Sequence, residues 1–127
     1  MSAAAQLPRN TTRQAEGTLH GNVARLLHRI TGAVIVVFVL VHVIAQAVLH
    51  APALASLKAG APWLPVMQSQ HWVHALLYFS IVFHTLYGFK LLAIELGARI
   101  EYRTALWAIV AVSALFGLRE IARYAGL

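Results

Sequence analysis

Leu76-Leu77-Tyr78-Phe79-Ser80-Ile81-Val82-Phe83-His84-Thr85-Leu86-Tyr87-Gly88 is a run in which nearly every side chain is apolar, with one imidazole near its end. Extended both ways it covers about 72–94, enough for a helix to cross the ~20-residue depth of a bilayer core. Similar blocks lie before and after it, at about 30–49 and 105–124. The whole chain is 60% hydrophobic and 11% charged, where a soluble domain carries about a quarter charged residues. The expected fold is therefore an all-α membrane protein. A polar segment, 1–17, expected to be poorly ordered, precedes one domain of three transmembrane helices at 18–127.

Charge and composition narrow the functions. The chain has no cysteine, which excludes disulfides, thiolate metal sites and iron–sulfur ligation within it. The polar start holds Arg9, Arg13 and Glu16 without an apolar core, so it does not read as a secretory signal. The net charge of +6 sits on residues that flank apolar spans, which suits lipid headgroups and not nucleic acid. Arg9, Arg13, Arg25, Arg29, Lys90, Arg99 and Arg103 fall on the N-terminal side, against Lys58, Arg119 and Arg123 on the other. That excess predicts a cytoplasmic N-terminus and a C-terminus on the outer side.

An imidazole at membrane depth is costly unless something takes its lone pair or its proton. His84 and His42 both pose that problem, on different spans. Two such histidines point to a liganded metal, with haem iron the first candidate, since neutral imidazole is an axial ligand. The alternative is a hydrogen bond between helices. At 100° per residue, His28, Gly32, Val39, His42, Gln46 and His50 share one face of the first helix, and Ser80, His84, Gly88 and Glu95 one face of the second. Gly88, one turn beyond His84, leaves room for a flat macrocycle. His71 and His74 read as interfacial. On the third helix Ala105, Ala108, Ala111, Ala114 and Gly117 form an inclined small-residue ridge that would admit a neighbouring helix closely. Arg25, His28 and Arg29 make a cationic group at the membrane edge. It reads either as a topology anchor or as a receiver of haem propionates or a quinone carbonyl, for which guanidinium is suited.

Two of these stretches resemble a known family. His28-Arg29-Ile30-Thr31-Gly32 resembles the His-Arg-x-Ser/Thr-Gly motif in the first membrane helix of the cytochrome b subunit of succinate dehydrogenase, the larger of its membrane anchors. His84-Thr85-Leu86-Tyr87-Gly88-Phe89-Lys90, followed by Glu95, resembles the His-x-x-x-Gly-x-Arg motif of the second helix. The resemblance covers roughly 23–118. It implies an electron-carrying anchor in a bacterial inner membrane, bundled with a second membrane anchor and served by a flavoprotein and an iron–sulfur subunit. It also implies b-type haem, one or two, shared with a partner chain, and a quinone as substrate. His84 would be an axial ligand, His28 would lie near a propionate and Arg29 near the quinone; Thr31 of the motif, and Arg25 from the cationic group, are expected to bind cofactor with them. His42 matches the two-haem members, where it would ligate a second iron. A single haem between His42 and His84 is the other arrangement. The sequence differs from the family pattern at Arg25, where many members have serine, at Lys90, where arginine is usual, and at Leu91, where some have a second histidine. With no flavin or iron–sulfur motif, the chain is expected to be non-catalytic for succinate by itself. A fumarate reductase anchor, running in reverse, and a haem-free packing subunit are the competing expectations.

Overall fold

The computed structural model describes residues 10–126. Helix α1 (Asn10–His50) is followed by a 3-10 turn (Pro52–Leu54), two short helices, α2 (Ala55–Gly60) and α3 (Trp63–Gln68), then α4 (His71–Glu95) and α5 (Tyr102–Ala125). No strand occurs among the described residues. Among the described residues three stretches are long and apolar enough to cross a membrane: His20–His50, His71–Glu95 and Tyr102–Ala125. The protein is an all-α integral membrane protein, and the expected spans fall within these helices. The first helix starts well before Ile30. Of the segment 1–17, read as poorly ordered, residues 10–17 belong to α1, and residues 1–9 lie outside the described residues.

Local chemistry sets the helix ends. Pro52, two residues beyond the last residue of α1, lacks a donor and disfavours a helical residue before it. Beyond α4, Gly97 takes φ +92, a left-handed conformation open to glycine at little cost. Its N–H reaches the Ile94 carbonyl at 2.9 Å, and the Ala98 N–H reaches Ala93 at 2.9 Å. The last carbonyls of α4 are thus satisfied as the chain turns towards α5.

Helices α4 and α5 pack most extensively, and α1 lies across that hairpin. The shared core is Ala24 of α1, Phe83 and Tyr87 of α4, and Leu106 and Ile109 of α5. At one end a polar knot joins all three helices. The Tyr87 and Tyr102 hydroxyls are 2.9 Å apart, and Tyr102 donates to the Gly21 carbonyl at 3.4 Å. Lys90, only 5% exposed, sets its Nζ 3.2 Å from the Tyr102 ring centroid and 5.0 Å from that of Tyr87. A desolvated ammonium over aromatic faces is worth about 2 kcal/mol. At the other end His71 stacks on Tyr124, with centroids 3.3 Å apart, so His71 also ties α4 to α5.

The small-residue ridge on α5 meets a helix of this chain at one end only. Its Gly117 end meets α4, where a Cβ would lie 3.2 Å from the Ala75 carbonyl oxygen. Ala108 and Ala111 are exposed. The buried face is Leu106, Ile109, Ser113 and Gly117, because a face recurring every three or four residues stays in line with a neighbour while steps of three drift around the helix. Gly117→Val should therefore force α4 and α5 apart and cost about 1–3 kcal/mol. Thermal unfolding followed by helical circular dichroism should show a lower midpoint. Gly60→Ala, where a Cβ meets nothing within 4 Å, should leave it unchanged.

Candidate functional site

The two motif stretches meet where α1 crosses α4. His84 Nδ1 lies 3.1 Å from the His28 carbonyl oxygen. A carbonyl only accepts, so Nδ1 carries the proton, and the neutral ring keeps its lone pair on Nε2. Gly32 makes this approach possible. A Cβ there would sit 2.9 Å from His84 Cε1 and 3.3 Å from Nδ1. The bare backbone of α1 lets the imidazole lie against the helix and reach a carbonyl one turn back. Thr31 is 3% exposed, and its Oγ1 donates to the carbonyls of Leu27 at 2.8 Å and His28 at 3.0 Å. Its hydroxyl is committed to the helix that holds His84.

His28 covers His84 on one side. Their rings stack with centroids 4.0 Å apart and planes 8° apart, and the Tyr87 ring lies 5.1 Å beyond His28. His28 Nδ1 is buried without a hydrogen-bond partner. Beside the pair a cleft of about 330 Å³ is lined by His28, His84, Thr85, Gly88, Phe89 and Leu92. Gly88 opens onto it, and a Cβ there would meet His28 Cε1 only at 3.9 Å. The chain's own packing thus leaves space at Gly88 and demands glycine at Gly32. Sequence spacing alone suggested space at Gly88 and missed the demand at Gly32.

The other candidates lie apart from this pair. Arg29 is exposed. Arg25 is exposed and donates to Asn22 Oδ1 at 2.5 Å. Both are on the same stretch of α1 as His28. His42 is exposed with its ring near Phe38, centroids 5.8 Å apart. It is fourteen residues beyond His28, hence about 21 Å along the helix at 1.5 Å per residue. Since His84 stacks on His28, His42 and His84 cannot clamp one iron. Further along the same face, His50 Nε2 is 3.0 Å from Gln46 Oε1.

Sequence reasoning missed the Lys90, Tyr87 and Tyr102 knot, although His84, Tyr87 and Lys90 stand three residues apart and fall within one broad face. Tyr87 serves two neighbours there, His28 through its ring and Tyr102 through its hydroxyl.

Chemically, the arrangement offers one imidazole nitrogen, with the other held by a carbonyl, on a ring that lines a cleft. Among the described residues no three histidines, cysteines or carboxylates converge, so the donor set does not suit an ion enclosed by this chain alone. It suits a group that needs one axial nitrogen from this chain, as haem iron does. A hydrogen bond to the other ring nitrogen is the usual way of fixing such a ligand.

A family model described as the succinate dehydrogenase/fumarate reductase transmembrane subunit matches residues 8–118. No curated protein and no solved structure matches the chain.

The two glycines should respond oppositely to a methyl group. Gly32→Ala should displace the His84 ring, lowering stability by about 1–3 kcal/mol. Gly88→Ala should leave the thermal midpoint of the isolated chain at or slightly above wild type, since alanine favours the helix by up to about 1 kcal/mol. A functional loss in Gly88→Ala would then report on what occupies the cleft.

Proposed function

The chain belongs to the succinate dehydrogenase/fumarate reductase transmembrane subunit family, and from that premise we propose that it is the haem b anchor of a succinate:quinone oxidoreductase, serving electron transfer from an iron–sulfur subunit to a membrane quinone. The observation that carries the reading is His84, with Nδ1–H held by the His28 carbonyl and no hydrogen bond at Nε2, on a ring that lines the cleft. A b-type haem supplies a one-electron store when bound. His84 would hold the haem iron through Nε2, and a histidine of the second anchor would supply the other protein ligand. Gly88 gives the clearance beside it. The unpaired His28 Nδ1 supports its placement toward a propionate.

Arg29 and Arg25 stand exposed at the same edge. A guanidinium there donates to the quinone carbonyl and stabilises the negative charge that builds on its oxygen. The distribution of lysine and arginine supports a cytoplasmic N-terminus in a bacterial inner membrane, which puts this edge beside the flavoprotein and iron–sulfur subunits. His42, exposed and about 21 Å along α1 from His28 by helix rise, is assigned to a second haem nearer the outer side, completed by a partner histidine. The stacked pair also suits a haem-free packing subunit, because one ring nitrogen of His84 is bonded within the chain. The unbonded Nε2 favours ligation. The same parts serve a fumarate reductase, with electrons flowing the other way.

In the purified complex, His84→Ala should abolish the spectrum of one b haem, and unchanged haem content would overturn the assignment. His42→Ala should remove a different haem and spare that one. Intact haem in His42→Ala would reduce the count to one. Arg29→Leu should slow succinate-driven quinone reduction about tenfold, the equivalent of the ~1.5 kcal/mol of a hydrogen bond from a charged donor, while an artificial acceptor is still reduced at the normal rate.

A further inference from the structure

Tyr87 is buried, at 1% exposed, and the cleft beside His28 and His84 is lined without it. Its neighbours hold the ring in one place. Phe83, one turn back on α4, lies nearly parallel to it, with centroids 5.8 Å apart and planes 7° apart. Lys90 Nζ stands 5.0 Å from its centroid. Its hydroxyl is 2.9 Å from that of Tyr102 on α5, and Tyr102 donates to the Gly21 carbonyl of α1. Tyr102 has a single hydroxyl proton, so Tyr87 is the donor between the two.

The Tyr87 ring also meets His28, with centroids 5.1 Å apart and planes tilted by 44°. His28 Nδ1 is buried without a hydrogen-bond partner, so no polar contact at that atom fixes the plane of its ring. Packing against Tyr87 and His84 does. The His28 and His84 rings are 8° from parallel at 4.0 Å. Rings that close turn together, because rotating one drives its edge into the other. The hydrogen bond from His84 Nδ1 to the His28 carbonyl holds the imidazole at one atom, but a carbonyl accepts over a broad range of directions. The bond is a pivot, and the stacked rings settle the rotation about it. The contacts run from Gly21 through Tyr102, Tyr87 and His28 to His84, with Gly21 and His28 about two turns apart on α1.

We propose that Tyr87 is a positioning residue for the imidazole of His84. Held by the Tyr102 hydroxyl and acting through His28, it sets the plane in which that imidazole is presented to the cleft. The inference rests on the reading of His84 as a haem ligand and extends it to a residue that does not touch the haem. Groups outside the ligands orient a ligating imidazole and so tune the metal. Here the orienting groups are rings as well as a carbonyl.

The test is electron paramagnetic resonance of the oxidised haem in the assembled complex. In low-spin ferric haem with two imidazole ligands, the g values depend on the angle between the ligand planes. The signal to follow is the one lost in His84→Ala. Tyr87→Leu, which removes the ring, should keep haem per copy at the wild-type value and shift the largest g value of that signal. Tyr87→Phe and Tyr102→Phe each remove the contact between the hydroxyls and should shift it less. Combined, they should shift it no further than Tyr102→Phe alone, since both remove one shared interaction. Tyr87→Leu with full haem and wild-type g values overturns the proposal and leaves the ligand assignment standing. A haem signal that is complete in His84→Ala overturns the assignment and this proposal with it. Should Tyr87→Leu fail to assemble or to hold haem, Tyr102→Phe decides by the same signal, and an unmoved g value there overturns the proposal.

Discussion

The imidazole of His84 lies flat against the backbone of α1, and that contact fixes the rest of the molecule. It needs a helix without a side chain at one position, which Gly32 provides. It also needs a carbonyl one turn away, which His28 provides at 3.1 Å. In a membrane the bond is hard to replace, because no water competes for either group. It therefore sets the register of α1 against α4. The same bond selects the tautomer of His84, so a packing contact and a ligand preference are one feature.

Register has consequences along both helices. With His28 level with His84, the Tyr87 ring comes against His28, and its hydroxyl reaches Tyr102 and, through it, Gly21. Lys90 then has aromatic faces to rest on. Farther along, an apolar groove lies between the Ile30–Val41 stretch of α1 and the start of α4, and His42 is exposed. One crossing point thus separates a polar end, a histidine site and an apolar groove.

The fold was legible because bilayer depth imposes a length on each apolar block. Three such blocks were visible, and three helices carry them. His84, His28 and Gly32 were legible as members of polar stripes, but not their joint role, which needs the pairing of two helices that no single stripe contains. Of the α5 ridge only the Gly117 end packs within the chain, because composition at every third position does not reveal which neighbour lies alongside. Thr31 was read as a site residue from its motif, and its hydroxyl donates to the helix backbone, which the motif does not reveal. Lys90 read as a replaced arginine near the membrane edge. Its burial depends on Tyr102, which lies in another helix and beyond a loop.

The most direct test of the account is the structure of the assembled complex by electron cryomicroscopy, at a resolution that shows the imidazole of His84 and its neighbours. The account predicts haem iron bonded to His84 Nε2, with Nδ1 still on the His28 carbonyl and Gly32 against the ring. A complex in which Nε2 instead bonds a side chain or backbone carbonyl of a partner helix, with no iron beside it, would contradict it.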